Sequence, residues 1–181
     1  MKVIDTKLSG VKVIIPKIWD DPRGYFFESY NQRNYNDAGI PTTFVQDNEA
    51  LSVYGVIRGL HFQNEPYAQA KLVRVIQGEV LDVVVDVRKD SPTFGQSLSL
   101  ILNDINKKQL LVPEGFAHGY AVLSDEALFA YKCNAYYQPD HESGIKYDDP
   151  HLNIDWIIPE KDRIISTKDQ QLPLWKNVTF N

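Results

Sequence analysis

The sequence contains one cysteine, Cys133, which excludes any disulfide within the chain. That scarcity fits a reducing compartment. The expectation is a cytoplasmic protein in which Cys133 is a small core hydrophobe. No apolar run approaches bilayer length, and the opening stretch MKVIDTKLSGVKVII has neither an uninterrupted apolar segment nor a cleavage pattern. Neither a membrane span nor a secretory signal is therefore expected. Positive charge is not gathered into a block: 19 Lys and Arg stand against 24 Asp and Glu, for a net charge of −5. This argues against nucleic acid as a partner. It leaves room for a small anionic ligand, because a few arginines in a cleft bind phosphate whatever the net charge. Also missing are internal repeats, low-complexity tracts and any linker. The 181 residues, 43% of them apolar, are enough for one good core, so a single domain spanning 1–181 is expected.

What is present has a period of two. KLVRVIQGEVLDVVVDVR, residues 71–88, reads as two strands around the turn Gln77–Gly78, rich in β-branched residues. Pairing the two strands across that turn puts Lys71, Val73 and Val75 on one face with Val80, Asp82 and Val84. Leu81, Val83, Val85 and Val87 line the other. More extended segments follow at short spacing, QSLSLIL, KQLLVP, GYAVLS and ALFAYKCNAYY, separated by turn signals. Earlier, GVKVIIPKIWD, GYFFESY and TFVQDNEALS read the same way. Helix signals are few: NQRNYNDAG, ending at Gly39, and PEKDRIIS near the C-terminus. Many short strands at this spacing predict a sandwich or jelly-roll barrel, a fold that can enclose a ligand. Two opposite charges, Lys71 and Asp82, are out of place in a dry core, since a buried ion pair is a costly route to stability. That face is read as lining a wet cavity.

Chemistry-bearing side chains sit inside these apolar runs. VIRGLHFQ, residues 56–63, carries Arg58 and His61, and VPEGFAHGYAV, residues 112–122, carries Pro113, Gly115 and His118. In the second, the Pro and Gly shape a tight turn, and the strand after it begins with an inward-facing imidazole. That run resembles the second conserved motif of the cupin superfamily. The first cupin motif has Gly, five residues, then His-x-His; here Gly55 and His61 fit, but Gln63 replaces the second His. The acid that completes the usual metal set is absent as well, with Pro66 and Tyr67 at its place. Three imidazoles and a carboxylate suit a first-row metal, whereas two imidazoles, a Gln and the ammonium of Lys71 do not. No metal and no cofactor are expected. Arg58 reads as a phosphate clamp and Lys71 as an inward, ligand-facing ammonium. Tyr131 shares a face with Phe129 and Cys133, and periodicity alone assigns it to core packing. STKDQQ, residues 166–171, reads as a solvated loop, so Asp169 carries no signal by itself. VQDNEA, residues 45–50, is equally mute in isolation.

Taken in order, DPRGYFFESYN, FVQDN, VIRGLHFQ, KLVRVIQGEVLDVVVDVRKDSPTFG, KQLLVPEGFAHGYAVLSD, YKCNAYY and STKD resemble the dTDP-4-dehydrorhamnose 3,5-epimerase family, cupins without a metal. The matching segments run from about residue 20 to 169 in the family's order and spacing. The resemblance implies a mainly β, cupin-type jelly-roll barrel with a few short helices. It implies a substrate, dTDP-4-dehydro-6-deoxy-D-glucose, whose carbons 3 and 5 are inverted, and it implies roles for particular residues. His61 matches the base, Asp169 the carboxylate that orients it, Tyr131 the acid on the opposite sugar face, and Lys71 the cation beside the keto oxygen. Arg58, Gln46 and Asn48 match residues that contact the dTDP group, and His118 joins the substrate site. Arg23, Phe26 and Glu28 match an arm that comes from the partner subunit of a homodimer. Tyr136 matches an aromatic near the base. Departures are small: Ala70 replaces the usual Gly before the lysine, and NEPYA at 64–68 differs from the commoner sequences. Close relatives with nearly the same motifs invert only one of the two carbons or, as isomerases, make other 4-keto sugars. The rival readings are a metal-dependent cupin and a non-catalytic cupin that binds a sugar nucleotide.

Overall fold

In the computed structural model, which describes residues 1–180, the alternating segments form strands of two facing sheets. In chain order these are β1 (Lys2–Asp5), β2 (Lys12–Ile15), β3 (Ile18–Asp21), β4 (Gly24–Phe27), β5 (Gln46–Val53), β6 (Val56–Gln63) and β7 (Lys71–Gln77). Then come β8 (Glu79–Asp86), β9 (Ser97–Asn103), β10 (Gln109–Val112), β11 (Phe116–Val122), β12 (Glu126–Cys133), β13 (Glu142–Gly144) and β14 (Ile164–Ile165). The first sheet runs β1-β2-β10-β7-β12-β5. The second runs β13-β6-β11-β8-β9, with β14 also paired to β6, while β3 and β4 form a separate hairpin. This is a jelly roll, one of the two folds that the strand spacing left open, and of the cupin type that the resemblance implied.

The alternation in residues 71–88 gives the correct faces and the wrong partners. β7 pairs with β10 and β12, and β8 with β9 and β11, so the expected hairpin does not form. Gly78, at φ +82°, carries the chain from one sheet to the other, and a Cβ there would lie 2.2 Å from the Glu126 carbonyl oxygen. Val73 and Val75 therefore meet Val80 and Val84 across the interior, in one cluster with Leu110, Phe116 and Phe129. Leu81, Val83, Val85 and Val87 point out of the barrel, as their alternation predicts. They are covered by the C-terminal segment through Ile145, Trp156, Ile158 and Phe180. Truncating a fully buried side chain such as Trp156 or Phe129 to Ala costs about 3–5 kcal/mol. The outer face of the first sheet is capped by Tyr35 and Ile40 over Ile14, Leu72 and Leu111.

Tyr35 belongs to α1 (Gln32–Asp37), the helix expected over 31–39. Asn31 caps it by accepting from the Asn34 amide at 3.2 Å, and Gly39 follows at φ +77°. The second expected helix, PEKDRIIS, is instead a single 3₁₀ turn at Glu160–Asp162 followed by β14. There Ile164 pairs with Val56 and Ile165 with Ile57 in parallel. The stretch expected as a solvated loop at 166–171 contains α2 (Thr167–Gln170), whose Ser166 cap accepts from the Asp169 amide at 3.0 Å. No helix among the described residues is long and apolar enough to cross a membrane.

Candidate active site

β6 and β11 lie side by side with His61 opposite His118, so both imidazoles are presented from the same stretch of sheet. Gly59 makes that closeness possible. Its φ is +117°, and a Cβ would come within 2.7 Å of the Gly119 Cα and the His118 oxygen. Across the barrel, β7 contributes Lys71 and β12 contributes Tyr131. These four line a cavity of about 520 Å³ together with Arg58 and Asp169.

Asp169, expected in a loop, is 4% exposed because the short α2 turns it inward onto β6. Its Oδ1 lies 2.8 Å from His61 Nε2, and its Oδ2 accepts the Gly59 N–H at 3.1 Å. Burial pushes the Asp169 carboxyl up, but the hydrogen bonds from His61, Gly59 and Ser166 outweigh it and hold the group below 3.8. A carboxylate thus stays ionised against the ring. The other ring nitrogen, Nδ1, has no hydrogen-bond partner among the described residues.

His118 is held differently: its Nε2 lies 2.9 and 3.0 Å from the two oxygens of Asp82, which is wholly buried. Lys71 lines the cavity as expected, whereas Asp82 does not and backs a histidine instead, which corrects half of the reading of both charges as cavity lining. Lys71 makes no ion pair among the described residues. Burial pushes its ammonium down, partly opposed by Cys133, Asp82 and Glu142. Tyr131 packs at the edge of the core against Phe129, 6.1 Å between ring centres, and lines the cavity as well. Periodicity assigned only the first of these. Burial, then Cys133 and Tyr120, push its phenol up, so it remains a proton donor.

An adjoining recess of about 250 Å³ shares His61, Lys71 and Tyr131 and brings in Gln46 and Asn48, which bond to each other at 2.9 Å. Cys133 is buried there, near Asn48 Nδ2. Three residues of the recess and cavity were not singled out from the sequence: Tyr137, Glu142 and Lys168. Glu142 Oε2 accepts from both Tyr137 and Lys168 at 2.6 Å, tying α2 to β13. Lys168 stands in the STKD run beside Asp169, which is the one signal that could have found it.

Four expected residues are not at the cavity. Arg23 is exposed and pairs with Asp21 at 2.6 Å, and Phe26, 69% exposed, lies against Trp19 on the β3–β4 hairpin. Glu28 is engaged by Asn31 and Asn34. Tyr136 is 66% exposed, and its part in the site's framework is a carbonyl that accepts from Gln63. Its neighbour Tyr137 is the aromatic in the recess. Gln63, at the position of a second metal-binding His, is used on backbone: its amide donates to Tyr67 and Tyr136, and its oxygen accepts from Gln138. Among the described residues no group of three or more His, Cys, Asp or Glu could hold a metal ion.

A carboxylate-backed imidazole, a phenol and a lysine around one cavity in a jelly roll are the groups that a proton-moving, cupin-type isomerase requires. The comparisons narrow the class. The family model described as dTDP-4-dehydrorhamnose 3,5-epimerase matches residues 5–177, and the chain belongs to that family. It is 48% identical to the dTDP-4-dehydrorhamnose 3,5-epimerase of Methanothermobacter thermautotrophicus over 181 residues, covering 99% of this chain and 96% of the relative. Identity to the Shigella flexneri enzyme of the same name is 51% over 170 residues, 93% of each chain. The crystal structure of the Legionella pneumophila dTDP-6-deoxy-D-glucose-3,5-epimerase in complex with dTDP-4-keto-L-rhamnose superposes with a TM-score of 0.94. It is 47% identical and covers 98% of this chain and 94% of its own.

Proposed function

We propose that this chain is a 3,5-epimerase that converts dTDP-4-dehydro-6-deoxy-D-glucose to dTDP-4-dehydro-L-rhamnose using its own side chains. The observation that carries the reading is the 2.8 Å contact between His61 and the buried Asp169 on one wall of a cavity whose other walls carry Tyr131 and Lys71. The ketone at carbon 4 acidifies the hydrogens on carbons 3 and 5. His61 takes one of these as a proton, a step worth roughly 10²–10⁴-fold from a well-placed base. Asp169 holds the ring's tautomer and stabilises the imidazolium. The electron pair moves onto the keto oxygen, where Lys71 meets the developing negative charge; one such donor is worth about 2.7–4 kcal/mol. Tyr131 then returns a proton to the carbon from the opposite face. One proton leaves and one arrives, so no oxidant or cofactor is needed. Arg58, Gln46 and Asn48 hold the nucleotide end, with His118 completing the wall.

The functional unit in this reading is a cytoplasmic homodimer. The β3–β4 arm, with Trp19, Tyr25 and Phe26 all exposed, is too apolar to face water alone, and it would bring Arg23, Phe26 and Glu28 to the partner's cavity. The edge strand β5 also exposes Leu51 and Val53. Light scattering at micromolar concentration should give a dimer; a fully active monomer would refute this arrangement. The reaction itself is tested by NMR of the 4-keto sugar nucleotide with the protein in deuterated water. Deuterium should enter carbons 3 and 5 with inversion at both. Exchange at one carbon would make the enzyme a mono-epimerase, and absence of exchange would remove the catalytic reading.

A further inference from the structure

Arg58, set beside the cavity for an anionic ligand, is held by an uncharged group. Its side chain makes one hydrogen bond among the described residues, from Nε to Ser52 Oγ at 3.1 Å. Ser52 is 5% exposed and lies on β5, locked in the ladder opposite Ala127. The wall beside it is equally fixed. Tyr120, the register partner of Arg58 on β11, stacks on Phe129 at 4.1 Å and 17°, and its hydroxyl is buried without a hydrogen-bond partner. Burial and the nearby Asp82 carboxylate push the Tyr120 phenol up, with Ser52 and Arg58 acting in the opposite sense, and Arg58 forms no ion pair with any carboxylate among the described residues.

We propose that Ser52 is a positioning residue for Arg58, fixing the guanidinium so that its two terminal amino groups face the diphosphate of the sugar nucleotide. The inference rests on the reading of the cavity as a sugar-nucleotide site. A guanidinium is a planar fork with five N–H donors in fixed relation. With Nε–H committed to Ser52, the plane and rotation of the fork are set, and the end-on pair remains for bidentate contact with phosphate oxygens. Without that bond the long side chain samples many rotamers, and binding must order it again.

The test titrates thymidine and dTDP into wild type, Ser52→Ala, Arg58→Lys and the double variant. Ser52→Ala should weaken dTDP about five- to tenfold, the scale of one re-ordered arginine, and leave thymidine affinity unchanged. In the Arg58→Lys background the same substitution should change dTDP affinity by less than about twofold, because nothing remains for Ser52 to aim. Wild-type dTDP affinity in Ser52→Ala overturns the proposal. So does an equal loss in both backgrounds, or an equal loss for thymidine, since either makes Ser52 a general packing residue. If Arg58→Lys itself binds dTDP as wild type does, or wild type does not bind dTDP, the underlying site reading fails and the inference falls with it.

Discussion

Replacing Asp169 by Asn exchanges one carboxylate oxygen for an NH₂ and sets two demands against each other. The carboxylate accepts twice, from His61 Nε2 at 2.8 Å and from the Gly59 N–H at 3.1 Å. A carboxamide has one acceptor and one donor. If its oxygen stays on Gly59, its NH₂ faces His61 Nε2, which must then carry a lone pair. The ring proton moves to Nδ1, the nitrogen left for the substrate, and the base is blocked. If the amide turns the other way, the Gly59 N–H meets an NH₂, and a buried unpaired donor costs about 1–3 kcal/mol. Loss of a charge-assisted hydrogen bond is worth about 1.5–3 kcal/mol, or about ten- to 150-fold on the proton-transfer step. The wrong tautomer adds to this, and in the serine-hydrolase triad the same substitution costs about 10⁴. We expect Asp169→Asn to slow deuterium entry at both sugar carbons by roughly 10²–10⁴. Affinity for dTDP should stay within about twofold, because the nucleotide end of the cavity is untouched. Proton NMR in deuterated water gives the exchange rates and calorimetry the affinity. Exchange within about threefold of wild type, in a folded variant, would refute the role of Asp169 and the tautomer argument with it.

Lys71→Met should lower turnover about 10²–10³-fold with little change in dTDP affinity, since the ammonium meets charge that exists only in the transition state. Activity in the wild type should survive chelation and should fall on the alkaline side at a pH below the 10.5 of an ordinary lysine, because burial has pushed the Lys71 ammonium down and the active form is the protonated one; steady-state rates against pH, with and without chelator, check both, and rescue by a divalent ion would contradict them. Tyr131→Phe should uncouple exchange from inversion: His61 still removes the proton and returns deuterium to the same face, giving labelled substrate of retained configuration by NMR, whereas wild-type inversion would take Tyr131 out of the mechanism. For stability, burial raises the Asp86 carboxyl, but hydrogen bonds from Arg88, Ser91 and Thr93 overcome this and bring it from 3.8 to about 2. A folded-state value below the unfolded one stabilises the protein at pH above 3.8 and loses that contribution as pH falls toward about 2, a difference of about 2.5 kcal/mol. Urea unfolding at pH 6 and pH 3 should show about 1 kcal/mol of this loss in wild type and much less of it in Asp86→Asn; equal pH dependence in the two would refute it.

Alternation along the chain was enough to assign faces. Val73 and Val75 are interior and Val83 and Val85 exterior to the barrel, while the turn before His118 was enough to aim its imidazole inward. These are local properties: a strand's side chains point to opposite faces whatever it pairs with, and Asn31 and Gly39 bound α1 through their own backbone and caps. Pairing is not local. The same pattern in residues 71–88 is satisfied by a hairpin and by two strands facing each other across a core, and the rest of the barrel decided for the second. Asp169 shows the limit most clearly. In STKD it is one more polar residue, and it becomes the partner of His61, 108 positions earlier, because α2 folds back onto β6. Likewise Asp82 pairs with His118 across neighbouring strands, and Tyr137, beside Tyr136 in sequence, lines the recess. Each was settled by which buried polar groups could satisfy one another, a condition imposed by long-range packing that no window of neighbouring residues contains.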